Sequence, residues 1–405
     1  MSARRLVEAR SFQEPVSGHS DSFDSQLEFS ALKALSLRSL VSLFQEEEKL
    51  FSGCATLTEG GFHREGTSRK RTMIALLGLQ RLAEAGGAQP FDLASIRDAV
   101  LEDTSWVRSV GDLGLLTWFT AVCVPERLGR LFNEFDFGKA LDAYSDGRQA
   151  RTVGLAWFLA GIGHARLACP GTLPDMTDIA VDTYHMLQDN QGEGGIFGHI
   201  AFPRLVQRPF YNRLGTFADQ IHAIYGLTTF ARAFQIEEPL ASALACANSV
   251  CALQGEMGQW WFLYDKRTSR VVNPYPVISH HQDGTAPAGL LALGDVTGRS
   301  FHKPILKGLS WIAGANELGK NLRNLDQGFI WDSIGPSSRI TNYVQAALSF
   351  LNISNAVQGK NLSIRYEARP DHFGWLLYAL ARFGAPNATM AAKGASTHGC
   401  TNQCV

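Results

Sequence analysis

The feature that most constrains this chain is a repeat. Gly195 and Gly258 stand 63 positions apart, and so do Phe197 and Trp260. Leu187-Gln188 ahead of Gly194-Gly195-Ile196-Phe197 matches Leu253-Gln254 ahead of Gly258-Gln259-Trp260. The segments that follow align as well: Gly226 and Gly289 are 63 apart, Asp219 and Asp283 are 64 apart. A looser third copy runs through Trp311, Asn316 and Asp326-Gln327-Gly328-Phe329-Ile330-Trp331. A fixed period of this length marks a chain that uses one supersecondary unit several times.

The unit is a helical hairpin. Apolar residues recur at spacings of three and four, and strand-like alternation is scarce. Helices are expected near Gln26–Leu50, Arg71–Ala85, Asp92–Leu101, Gly111–Val122, Phe137–Tyr144, Thr152–Leu167 and Asp175–Leu187. Others are expected near Phe217–Phe234, Pro239–Leu253, Thr285–Leu293, His302–Ala315, Thr341–Leu351 and Asp371–Phe383. Residues 70–384 hold about five periods, and Gln26–Leu50 can start a sixth. Six hairpins can close into a ring, which covers the faces an open solenoid leaves bare. The expected fold is all-α: one (α/α)6 toroid over 26–385, between a disordered segment 1–25 and a flexible tail 386–405. A small β-hairpin is expected within it, with Trp260–Tyr264 and Val271–Val277 as strands and Asp265–Arg270 as the turn.

Composition narrows the partners. The formal net charge of −1 offers no general attraction to nucleic acid or an anionic membrane. The basic run Arg69-Lys70-Arg71 reads as a helix start. No apolar run reaches the roughly 18–20 residues of a membrane span. Residues 1–24 lack the apolar region of a signal peptide, so a cytoplasmic location is expected. The seven cysteines are odd in number and widely spaced, which fits neither a disulfide framework nor paired zinc knuckles. Cys123, Cys246 and Cys251 read as core, and Cys400 and Cys404 as tail. There is no P-loop, no dinucleotide fingerprint and no Gly-x-Ser-x-Gly elbow. Asp175, Asp178 and Asp182 share one helix face and read as solvated dipole partners. Neither a cofactor nor a metal is expected.

The element helix–Gln–Gly–x–aromatic, best in Gln254, Gly258 and Trp260, resembles the Gln/Trp motif of the terpenoid cyclases. The same ring is shared by six-hairpin glycosidases, sugar epimerases and polysaccharide lyases. The resemblance covers roughly residues 70–384 and implies an α/α toroid whose pocket opens where the inner helices begin. The Asp-x-Asp-Asp acid of class II cyclases is absent.

Aspartates stand at the heads of the expected inner helices: Asp112, Asp219, Asp283 and Asp371 beside His372. Each alone can be a helix cap. Several converging on one pocket supply the paired carboxylates that acid/base sugar chemistry requires. His280-His281 precede Asp283 at an expected strand-to-helix junction. Adjacent strand residues point to opposite sides, so one histidine is expected to face the pocket, His281 on the Asp283 side. The pair can equally cap the helix, and zinc would lack a third ligand. Trp260, Trp261, Tyr264, Trp331 and Trp375 are the aromatic stock, part of it core. In Arg365-Tyr366-Glu367-Ala368-Arg369-Pro370-Asp371-His372, an arginine could clamp a carboxylate or phosphate, or the segment could be a salt-bridged loop.

The expectation is a carbohydrate-active hydrolase, lyase or epimerase, acting on a sugar or uronic-acid-containing polymer. Asp283, His281 and Asp219 would be catalytic. His280, Trp260, Trp261, Tyr264, Arg365, Tyr366, Asp371 and His372 would hold a small-molecule or oligosaccharide substrate. A terpenoid cyclase-like or prenyl-binding enzyme, and a binding protein without catalysis, are the alternatives.

Overall fold

A computed structural model of the chain describes residues 21–145, 151–171, 174–200, 213–337 and 361–383. It opens with α1 (Asp21–Leu43) and the strands β1 (Phe44–Gln45), β2 (Leu50–Thr58) and β3 (Gly61–Thr67). There follow α2 (Arg69–Glu84), α3 (Leu93–Leu101), α4 (Val110–Cys123), α5 (Leu128–Glu134), α6 (Phe137–Ser145), α7 (Thr152–Ala168) and α8 (Thr177–Asp189). Then come β4 (Leu214–Thr216), α9 (Phe217–Phe234), α10 (Glu238–Ala252), β5 (Leu263–Asp265), β6 (Arg270–Asn273) and β7 (Val277–Ile278). A π-turn, His281–Thr285, leads into α11 (Ala286–Thr297), followed by α12 (His302–Ile312), β8 (Arg323–Asn324), β9 (Phe329–Ile330) and β10 (Ser333–Pro336). The last elements are β11 (Leu362–Arg365), β12 (Glu367–Ala368) and α13 (Pro370–Leu380).

Six helices form an inner ring in the order α2, α4, α7, α9, α11, α13, and α13 packs back against α2. Their sequences explain the position. α4 is buried at every residue from Val110 to Ala121, as an apolar helix enclosed on all sides must be. α12, outside the ring, buries only Ile305, Gly308, Leu309, Trp311 and Ile312, one amphipathic stripe. The seam needs glycine. A Cβ on Gly78 would stand 2.2 Å from the Gly374 carbonyl oxygen, and one on Gly374 would stand 2.5 Å from that of Ile74. α1 covers the outside of the seam by packing on α13.

The repeat has a physical meaning. Gln254 donates to the Gly258 carbonyl at 3.0 Å and to the Pro304 carbonyl of α12 at 2.9 Å. One period earlier, Gln191 donates to Gly195 at 2.9 Å and to Ser242 of α10 at 2.9 Å. Each glutamine staples a helix end to its loop and to the next outer helix. Gly195 and Gly258 have φ of +87° and +97°, and a Cβ on Gly258 would stand 2.0 Å from the Lys307 carbonyl oxygen. The counterpart of Gln254 is therefore Gln191, not Gln188 as the sequence alignment had it.

Strands feed the inner helices. β3 enters α2, β4 enters α9, β7 precedes the π-turn, and β12 enters α13. β4 pairs with β5, β7 with β10, β10 with β11, and β12 with β2.

Several expectations are corrected. The helix expected over Gln26–Leu50 stops at Leu43, because Phe44 pairs with Phe51 across a turn that includes Lys49 at φ 53°. The β2–β3 hairpin and α5 were not foreseen. The expected hairpin exists but is shorter, β5 with β6, and Val277 pairs instead with Ile334. Thr341–Leu351 and the tail cysteines lie outside the described residues.

Candidate functional site

The heads of the inner helices gather the charged and imidazole side chains. Salt bridges tie neighbouring heads together: Lys70 to Asp112 at 2.5 Å joins α2 to α4, and Arg71 to Asp371 at 3.5 Å joins α2 to α13. The basic run thus works as a ring clamp at the heads of three inner helices, beyond opening α2.

Asp219 is wholly buried and has two roles. With Thr216 it forms a capping box at the start of α9: its Oδ2 accepts from the Thr216 backbone N–H and hydroxyl, both at 2.7 Å. The same carboxylate pairs with His199 Nδ1 at 2.9 Å. His199 keeps 27% of its side chain exposed. Its backbone is fixed on both sides, with its N–H donating to Leu214 at 2.7 Å and its carbonyl accepting from Thr152 at 3.0 Å. The hydrogen bond to Asp219 raises the His199 pKa, against the opposing pull of burial. Nδ1 is the ring nitrogen committed to the carboxylate.

Asp283 forms a second carboxylate–imidazole pair, with His372 Nε2 at 2.8 and 3.0 Å. Both partners are buried. The partner of Asp283 is thus His372, not His281. Nor are Asp219 and Asp283 equivalent positions. Gln220 and Gln282 make matching bonds: each accepts from a backbone N–H one period apart, Phe197 at 2.7 Å and Trp260 at 3.2 Å. That register is 62, whereas Gly226 and Gly289 are 63 apart. The π-turn His281–Thr285 absorbs the extra residue. Asp219 therefore precedes its glutamine, and Asp283 follows its own.

His280 and His281 are not strand residues on opposite sides. They stand at the start of the π-turn with their rings 4.5 Å apart, edge to face. His280 lies 6.0 Å from the His372 ring and His281 lies 5.1 Å from Phe217. Burial, with His222 and His372 nearby, pushes His281 down to about 3. His222 on α9 accepts from the Trp157 indole at 3.1 Å, and burial lowers it to about 4. His280 is lowered as well, by burial first and then by neighbouring His281, His372 and Arg369. The cluster is a set of neutral imidazoles flanked by two carboxylate-held ones.

Trp375 forms the floor, its ring 5.4 Å from His222 and 5.6 Å from Trp118. Below it Trp118 stacks on Tyr225 at 4.8 Å and on His164 at 5.2 Å, filling the lumen. On the rim, Arg365 lies 3.7 Å from Glu367 and 4.0 Å from Asp332 and is 42% exposed. Arg369 reaches Glu367 at 2.9 Å and Asp332 at 3.5 Å. Tyr366 is exposed and stands edge-on to Trp331 at 5.2 Å.

The other expected aromatics sit in the walls. Trp260 and Tyr264 are wholly enclosed, Trp260 stacked on Phe217 at 5.1 Å and Tyr264 paired with Gly215 across β4 and β5. Large rings at loop–helix junctions seal one hairpin layer against the next, so neither presents a face to a ligand. Trp261 leans on Tyr275, whose hydroxyl donates to Glu317 at 3.1 Å. His199, His222 and Trp157 were missed. His199 lies in a loop outside any periodic window; the other two lie inside helices, where spacing assigns them to the core. No group of three or more His, Cys, Asp or Glu among the described residues has metal-binding geometry.

No protein-family model and no curated protein sequence matches this chain. Solved structures do match in fold. An unsaturated glucuronyl hydrolase specific for heparin aligns at 11% identity and TM-score 0.56, covering 89% of this chain and 97% of that one. The cellobiose 2-epimerase from Bacillus thermoamylovorans B4167 aligns at 8% identity and TM-score 0.59, covering 89% and 99%. A possible GH105 family member from Klebsiella pneumoniae aligns at 12% identity and TM-score 0.54, covering 94% and 99%. At these identities the likeness is one of fold, the α/α toroid.

Proposed function

We propose that this toroid is a carbohydrate-active enzyme, with its chemistry at the N-terminal end of the inner helices. The observation that carries the reading is the pair of buried carboxylates, Asp219 and Asp283, each hydrogen-bonded to a histidine at that end. A carboxylate on one ring nitrogen fixes tautomer and orientation and favours the proton on the imidazole. His199 is then a proton donor or acceptor through Nε2, and Asp219 is its positioning residue. Asp283 positions His372 in the same way. Hydrolysis, β-elimination and epimerisation of a sugar all require a proton delivered or removed at carbon or oxygen.

Arg365 and Tyr366 on the rim suit a substrate with a carboxylate and a ring face: a guanidinium can take a uronate in two parallel hydrogen bonds, and a phenol ring can stack on a sugar. The sugar enzymes among the structural neighbours support this class. The prenyl reading fares worse, because it needs an apolar lining and this end carries Asp112, Asp219, Asp283, Asp371 and Arg369.

The test is a panel of unsaturated uronyl disaccharides, saturated uronides, reducing disaccharides and isoprenoid diphosphates. It is read by thermal shift, by loss of the unsaturated uronate's ultraviolet absorbance, and by chromatography of the products. One sugar class should turn over, with His199→Gln and His372→Gln each at least about 100-fold slower, as for loss of a general acid or base. A thermal shift with isoprenoid diphosphates alone would sink the reading.

A further inference from the structure

The opposite end of the ring holds a second polar site. Four of the inner helices, α2, α9, α11 and α13, border a cavity of about 60 Å³ there, lined among others by Arg81, Tyr225, Arg232, Asp295 and Arg382. A single water needs about 10–15 Å³ on the same measure, so the space suits a few waters or one tetrahedral anion. Three arginines line it against one carboxylate, and that carboxylate, Asp295, is already paired with Arg382.

Arg81 is the central residue. Its guanidinium lies over the Tyr378 ring at 3.4 Å and donates once to the Tyr378 carbonyl at 3.1 Å. A guanidinium has five N–H donors. Among the described residues no carboxylate lies within 4.0 Å of Arg81 or Arg232. Beside it the Tyr225 hydroxyl is held between His164 Nε2, at 2.9 Å, and the Tyr378 hydroxyl. Thr228 and Thr229 spend their hydroxyl hydrogens on the Ile224 and Tyr225 carbonyls, so the guanidiniums are the donors toward the cavity. Burial works against the Arg81 charge, and the two carboxylates that act on it, Glu84 and Asp295, do so from beyond ion-pair distance. Helix C-termini ease that cost for a cation in a last turn by their negative end, and would do so with no ligand present.

We propose that this cavity is an oxyanion site, built for a phosphate or sulfate, either free or as the terminal group of a small metabolite. The anion would sit between Arg81 and Arg232, with the stacked Tyr378 ring holding the Arg81 fork in place. Trp118 and Trp375 separate it from the imidazole cluster, so it does not depend on the sugar chemistry proposed above.

The experiment is titration of the full chain with inorganic phosphate, sulfate and glucose 6-phosphate, against chloride at matched ionic strength, read by calorimetry and thermal shift. A saturable response to phosphate or sulfate is expected, and tighter binding of the sugar phosphate would identify the anion as part of a metabolite. Arg81→Gln should weaken binding by roughly ten-fold or more, as for a lost charge-assisted hydrogen bond. Arg232→Gln, on an exposed side chain, covers the case in which Arg81→Gln does not fold, and should also weaken it. Arg369→Gln, at the other end of the ring, should leave binding unchanged. No saturable response beyond chloride would overturn the proposal, as would binding that survives both Arg81→Gln and Arg232→Gln or is lost in Arg369→Gln.

Discussion

At the scale of the residue, Asp219 shows how a cap and a functional group coincide. A cap alone accepts backbone amides; Asp219 accepts the Thr216 amide and also holds His199. Asp219→Asn should cost about 1 kcal/mol through the weakened cap. It should also remove the main cause that raises His199. Protonated His199 stabilises the fold fully below the unfolded value near 6.5, and that contribution fades as pH rises through the higher folded value. In Asp219→Asn the NMR titration of His199 should move to lower pH, and the matching limb of the activity profile should move with it; an unmoved titration would break the proposed pairing. The buried imidazoles run the other way. His222 near 4 and His281 near 3 stay neutral in the fold while the unfolded chain protonates near 6.5. Stability is therefore full above 6.5 and declines as pH falls toward 4 and 3. Tm measured across that window should drop, and His222→Gln should flatten the drop.

At the scale of the element, the repeat is a set of staples. Gln191 and Gln254 each close two side-chain-to-backbone bonds that link a helix end, a loop and the next outer helix. Gln254→Ala and Gln191→Ala should each lose about 1–3 kcal/mol, checked by denaturant unfolding, because the loop carbonyls of Gly258 and Gly195 lose their side-chain donor. Gln188→Ala should be near neutral, since Gln191 carries the staple. The sequence exposed the period but slipped its register by three positions at the glutamine and by two at the aspartates. Nothing in a string of letters marks a π-turn, whose extra residue moves Asp283 off the place of Asp219 and toward His372.

At the scale of the whole molecule, closure is the governing fact. The first inner helix meets the last through Gly78 and Gly374, residues 296 positions apart. Gly78→Ala places a methyl 2.2 Å from a backbone oxygen and should cost about 1–3 kcal/mol or more by overpacking. Guanidinium unfolding of that variant is the measurement, and an unchanged midpoint would mean that the seam is slack. The sequence by itself determined the helical hairpins, their period, the count that allows a ring, and the aspartates at helix heads. These follow from local spacing, which any helix of this periodicity must obey. Only the tertiary structure decided which imidazole each carboxylate holds. Asp283 reaches His372 across 89 positions because two inner helices are neighbours in a closed ring. His199 enters from a loop because β4 and the start of α7 grip its backbone. Trp260 and Tyr264 left the expected site because the junctions they occupy are where hairpin layers are sealed. Pairings of this kind depend on which surfaces meet when the ring closes, and closure brings together parts of the chain that sequence spacing keeps far apart.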